Sequence, residues 1–191
     1  MKRVLFGLTV GAAAVLAAGC AQTDKSPSAA PTASAAMAAP GATRAAAPLA
    51  PKSGTNTGGR VTFEQQPGGG VMVVVAVTGL PPGTTHGFHI HEKGDCSAPD
   101  AMSAGGHFNP GTKPHGQMSM PDHHAGDMNN LTADSAGNAR AQFVMSDVTV
   151  GAGPNSVVGR AVVVHKDPDD YRTQPTGNSG GRIACGVIAA T

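Results

Sequence analysis

Past residue 51 the apolar residues fall in short β-favouring runs rather than in long amphipathic stretches. The runs are Arg60 to Gln65, Val71 to Thr78, His86 to His91, Ala139 to Met145, Gly159 to His165 and Ile183 to Ile188. Turn-forming clusters separate them: Pro67-Gly68-Gly69-Gly70, Pro81-Pro82-Gly83 and Ala136-Gly137-Asn138. No segment sustains a 3.6-residue apolar period with helix caps, so the pattern predicts an all-β domain, a Greek-key β-barrel or flattened β-sandwich. Two irregular stretches interrupt it, residues 92–130 and 166–182. Loops of that length in a compact domain usually carry function.

The first fifty residues read differently. Lys2 and Arg3 followed by the apolar run Val4 to Ala18 form the charged and hydrophobic parts of a signal peptide, residues 1–19. Ala17-Ala18-Gly19-Cys20 resembles the bacterial lipoprotein cleavage motif, with Leu16 one place earlier than the leucine that motif usually has. The resemblance implies a lipid on Cys20 and a place in the bacterial cell envelope, periplasmic or at the cell surface, anchored to a membrane. From Ala21 to Pro51 the chain has thirteen Ala and five Pro. Those prolines interrupt every candidate helix, so residues 20–51 are expected to be a tether and residues 52–191 the domain.

Charge and cysteine count narrow the function. From residue 52 onward there are nine basic and eleven acidic residues, a net of −2, with no basic face for nucleic acid. The chain has no Trp and one Tyr, so platforms for base stacking are scarce. Three cysteines are an odd number for an oxidising compartment; a lipid on Cys20 leaves Cys96 and Cys185 to pair. Such a bridge would close a long loop, worth about 4 to 5 kcal/mol in the chain-entropy model.

All eight histidines lie between residues 86 and 165. In Phe88-His89-Ile90-His91 the two imidazoles share one strand face and Phe88 and Ile90 take the other. Taken alone, such a pair also fits two surface histidines above a core face. In the first long stretch, His107, His115, His124 and Asp127 supply three imidazoles and a carboxylate, donors suited to a tetrahedral zinc site or to a solvated loop. His165 ends the apolar run Val162-Val163-Val164, where a strand holds a side chain rigidly. An imidazole-rich set without thiolates points to copper or zinc, and redox chemistry would require copper. His86 faces away from His89 and suits a buried structural hydrogen bond.

Read in order, these residues resemble the copper/zinc superoxide dismutase family from about Val61 to Ile188. The resemblance rests on Gly87-Phe88-His89-Ile90-His91-Glu92, His107-Phe108-Asn109-Pro110, His124-Ala125-Gly126-Asp127, Val163-Val164-His165 and Thr176-Gly177-Asn178 through Arg182 to Ile188. It implies the same Greek-key fold. It implies copper on His89, His91, His107 and His165, and zinc on His107, His115, His124 and Asp127, with His107 shared as an imidazolate and carrying a proton in turnover. It implies that Asp169 hydrogen-bonds His89 and His115, with Asp167 and Asp170 as neighbouring acids, and that Arg182 guides the superoxide anion while Thr176 narrows the mouth. The implied function is dismutation of superoxide to dioxygen and hydrogen peroxide, protecting the cell envelope.

Residues 166–182 are shorter than in the familiar eukaryotic members, and Lys166 and Arg172 are the other basic residues there, so guidance of the anion rests mainly on Arg182. His123 stands beside His124, and the His-Ala-Gly-Asp order selects His124 for zinc. Met118, Met120, His115 and His123 form a second grouping, suited to accessory copper capture or to a solvated loop. Two other classes compete with the enzyme: a periplasmic copper or zinc buffer or delivery module, and a surface interaction domain with structural zinc alone. A second copy of the chain is a candidate partner on a barrel surface that sequence does not locate.

Overall fold

The computed structural model describes residues 41–191. The signal peptide, Cys20 and the tether up to residue 40 lie outside the described residues. Ten strands follow in order: β1 Arg44–Pro51, β2 Gly58–Gln65, β3 Val71–Thr78, β4 Thr85–His86, β5 Phe88–His91, β6 Leu131–Thr132, β7 Ala139–Met145, β8 Ala161–His165, β9 Arg182–Val187 and β10 Ala189–Ala190. One 3-10 turn, Met102–Ala104, is the only helical element among the described residues. Eight strands make a single curled sheet in the order β5-β8-β9-β1-β2-β3-β7, with β10 pairing β1, and β4 and β6 form a small sheet of their own. The described pairings are antiparallel, and β1 joins the two halves of the curled sheet, consistent with the expected Greek-key β-barrel.

Strand β1 corrects the expected domain boundary at residues 51 and 52. Residues 44–49 pair with β2, and Ala50 and Pro51 pair with β9. Ala45, Ala46, Ala47 and Leu49 are buried. Alanine and proline are poor strand formers, so nothing local announces this strand. Small side chains suit the place: a Cβ on Gly186 would lie 2.4 Å from the Pro48 carbonyl oxygen, so the two backbones pass close together. The prolines that exclude a helix do not exclude this strand, because Pro48 gives up one ladder donor and keeps its acceptor. Including Arg44, the folded unit has ten basic and eleven acidic residues, a net of −1.

The expected strand His86 to His91 is divided at Gly87, where a Cβ would meet that of Ser179 at 2.7 Å. His86 then pairs with Leu131 in the small sheet, while β5 pairs with β8.

The core follows the two-residue period. Val61 and Phe63 of β2, and Val71, Val73, Val75 and Val77 of β3, point inward to meet Phe88, Ile90, Val162 and Val164. The opposite face of β8 and β9 is covered as well, by a cluster of Ala101, Ala104, Ala161, Val163 and Cys185. The Cys96–Cys185 disulfide closes that cluster, with Cα atoms 5.8 Å apart. Every residue of β5 and β8 is therefore buried, and their histidines cannot be surface residues.

Candidate metal centre

Strand β5 lies at one end of the sheet order, which leaves its outer edge for the first long loop. The Glu92 N–H donates to the Gly106 carbonyl at 2.9 Å, Phe108 N–H to Ile90 O at 2.8 Å, and Ile90 N–H to Gly126 O at 2.9 Å. These bonds set His91 opposite His107 and His89 opposite Asp127. Gly126 is required there, since a Cβ would stand 2.3 Å from the Ile90 oxygen. Alternation along β5 then sends Phe88 and Ile90 into the core and both imidazoles under the loop. His165 arrives from the end of β8, where the ladder slips between Val164 and His165 and pairs His165 with Arg182.

Seven side chains converge as two groups of four. His89, His91, His107 and His165 form one, and His107, His115, His124 and Asp127 the other, with the donor atoms of each group within 4.8 Å of one another. His107 belongs to both. Its Nδ1 lies 2.9 Å from Asp127 Oδ1 and 3.4 Å from His124 Nδ1, on the side of the second group. Its Nε2 is buried and has no hydrogen-bond partner.

The outer nitrogens of four of the other five imidazoles are taken. His89 Nε2 donates to Asp169 Oδ2 at 2.7 Å, His91 Nδ1 to the Gly105 carbonyl at 3.0 Å, His165 Nδ1 to the Gly180 carbonyl at 3.3 Å and His115 Nε2 to Asp169 Oδ1 at 2.9 Å. Each bond places the ring proton outside and leaves the inner lone pair free. His89 Nδ1 and His115 Nδ1 are accordingly buried without a hydrogen bond. His115 Nδ1 stands 3.0 Å from Asp127 Oδ1 yet lacks hydrogen-bond alignment, as two donors aimed at a common point would. His91 Nε2 and His165 Nε2 face each other at 3.3 Å. Lone pairs do not gather this closely in a buried site without a cation to share, so the donor set fits one metal ion in each group.

Electrostatics agree. Burial, with neighbouring imidazoles and Arg182, drives His91 and His165 well below the ordinary imidazole range. Burial lowers His107 to about 4 despite its bond to Asp127. Burial also opposes charge on His115, but Asp127 and Asp169 outweigh it and raise that residue to about 9. Burial pushes Asp127 and Asp169 upward, and their imidazole and backbone hydrogen bonds overcome it, holding both far below the usual carboxylate range. At neutral pH a protonated His115 offsets the charge of Asp127, and a bound cation would take the place of that proton.

Of the three clustered acids, only Asp169 is buried. Sequence reasoning missed the residues that hold it. Asn130 accepts the Asp169 N–H at 2.9 Å and donates to its carbonyl at 2.9 Å, and Asp169 Oδ1 accepts the Tyr171 N–H at 2.6 Å. Gln174 makes the reciprocal clamp, accepting the His115 N–H at 2.8 Å and donating to its carbonyl at 2.9 Å. No signal in the sequence marks these amides, since their partners are peptide groups 39 and 59 residues away.

Arg182 is half-buried and donates to the Ala101 carbonyl at 2.7 Å and the Gly105 carbonyl at 2.6 Å. Gly105 O also receives His91 Nδ1–H, so one carbonyl ties the guanidinium to a ring of the first group. His86 is buried, with Nδ1 donating to the His165 carbonyl at 2.8 Å and Nε2 2.7 Å from Thr84 Oγ1, the structural role expected of it. The expected grouping of Met118, Met120, His115 and His123 is dispersed. Met118 packs on the core, Met120 is exposed, His115 belongs to the second group and His123 lines a separate cavity.

Comparison with known proteins bears on these groups. Residues 57–188 match the family model for copper/zinc superoxide dismutase (SODC). The chain is 46% identical over 123 residues to Superoxide dismutase [Cu-Zn] 2 of Aquifex aeolicus (strain VF5), covering 62% of this chain and 72% of that one. It is 45% identical over 127 residues to Superoxide dismutase [Cu-Zn] 1 of the same organism, covering 64% and 75%. Among solved structures, the clock protein EA4 superposes with a TM-score of 0.71 at 42% identity, covering 78% of this chain and 95% of its own. A SOD-like protein from Bacillus subtilis superposes with a TM-score of 0.67 at 36% identity, covering 74% and 95%.

Proposed function

The chain belongs to the copper/zinc superoxide dismutase family, and on that premise we propose that His89, His91, His107 and His165 hold the copper, and His107, His115, His124 and Asp127 the zinc. The protein is an oxidoreductase that dismutes superoxide. The observation that carries the residue assignment is His107, which turns opposite ring nitrogens to the two groups. When bound, copper supplies the one-electron couple by which one superoxide becomes dioxygen and another, with two protons, becomes hydrogen peroxide, and zinc supplies charge without redox chemistry.

The protein residues position, guide and move protons. Asp169 fixes one ring from each group, so His89 and His115 present their lone pairs without searching rotamers. His107 Nε2, partnerless in the protein, is the atom where a proton is held and given up. The folded unit is slightly acidic, so attraction for a small anion must be local. Arg182 suits that task. Two of its N–H groups are spent on carbonyls, and its charge is felt at His91 and His165.

Chain loaded with copper and zinc is expected to dismute superoxide and to lose that activity on copper chelation. Undiminished activity without copper overturns the mechanism. Arg182→Ala is expected to lower kcat/KM about 10-fold and flatten its dependence on ionic strength, with metal content intact. An unchanged rate removes Arg182 from anion guidance, and Arg182→Lys, which keeps the charge, should recover part of the loss.

The cellular setting follows from the N-terminal pattern. The basic residues, apolar run and Cys20 support export and lipidation, and the Cys96–Cys185 disulfide suits an oxidising compartment. The enzyme would then protect the cell envelope from superoxide. Cells fed a labelled fatty acid should label the full chain, and Cys20→Ser should abolish the label and release soluble protein. Label persisting in the variant rejects the anchor.

A further inference from the structure

Of the eight histidines, six serve the two metal groups and His86 has both nitrogens engaged. His123 is left. Its side chain is only 8% exposed, and Nδ1 lies 2.7 Å from the His124 carbonyl oxygen, which can only accept, so the ring proton sits on Nδ1. The Nε2 lone pair therefore faces outward, toward Asp147 Oδ2 at 3.6 Å, with no hydrogen bond between them. That nitrogen opens onto a cavity, and a lone pair facing a carboxylate across such a gap is repelled by it unless a cation lies between. The two line a cavity of about 510 Å3 together with Asn109, Ser146 and Asn155.

The separation has a yardstick in the same molecule. Donor atoms within the two groups face one another at 3.3 Å for His91 and His165, and at 3.4 Å for His124 and Asp127. Arms of about 2.0 to 2.1 Å to a tetrahedral ion give edges of this length. An imidazole oriented by a carbonyl at its other nitrogen is also how ligating histidines are commonly held. Asp147 is 40% exposed and free to close the few tenths of an ångström. Lys113 lines the same cavity and opposes a cation, but its ammonium is drawn to the Pro121 carbonyl at 2.8 Å.

We propose that His123 and Asp147 form a third, exchangeable site for a borderline divalent ion such as zinc, with water completing its shell. Two protein donors make it weaker than either four-donor group. The test is equilibrium dialysis of the copper- and zinc-loaded full chain against zinc(II), counting bound metal. The loaded enzyme should take up one further zinc per chain, and Asp147→Asn and His123→Gln should each lose that equivalent and keep the original two. No further uptake by the unsubstituted enzyme, meaning that water or a proton fills the gap, overturns the proposal. So does uptake that survives in both variants. Because the readout is a difference between enzyme and variant, it stands apart from whether the two main groups are filled as assigned.

Discussion

Replacing His165 by alanine is expected to lower superoxide dismutation by more than about 100-fold, since losing merely an outer partner of a metal ligand costs 10- to 100-fold. His165 comes to its group from the end of β8, and the other three donors from β5 and the first long loop. Its Nε2 faces that of His91 at 3.3 Å, so its loss opens one side of the copper position. No atom of His165 belongs to the group of His107, His115, His124 and Asp127. The variant should therefore keep its zinc and lose copper, which metal analysis on the assayed sample reads directly. Unchanged copper content and rate would remove His165 from the site.

Gly177→Ala is expected to damage both metal positions together, although the residue donates to neither. Gly177 has φ +66°, a conformation costing an L-residue roughly 1 to 2 kcal/mol. Space matters more. A Cβ there would fall 1.7 Å from Asp169 Oδ1 and 2.6 Å from His115 Nε2, where nothing but hydrogen fits. The carboxylate must move, and it is the common partner of His89 and His115. Copper and zinc affinities should each fall about 10- to 100-fold, measured by chelator competition. A variant that loses thermal stability but keeps both affinities would show that Asp169 does not orient the ligands.

The position of Asp169 marks a boundary between local and spatial information. Asp167, Asp169 and Asp170 are alike in sequence. Asp170 is spent within its own loop, accepting the Arg172 and Thr173 N–H groups at 2.9 and 2.8 Å. Asp169 is selected by Asn130, whose amide holds its peptide groups, and by Gly177, whose missing Cβ makes room. Neither is a neighbour in the chain.

The sequence by itself determined the strand period of β3 and β7, the shared face of His89 and His91, the donor chemistry, and a family resemblance extending over the domain. These are local properties: the pleat has a period of two, and an imidazole is a ligand wherever it lies. Only the tertiary structure decided that Arg44–Pro51 is a strand, because Ala45 to Pro51 become strand residues by pairing with β2 and β9 and not by propensity. It also decided that the β5 edge is closed by residues 106–108 and Gly126. That closure turns two histidines over a core into buried ligands and puts one imidazole, His107, in both groups. Such sharing depends on which loop lies against which edge, and that is settled when the chain closes on itself.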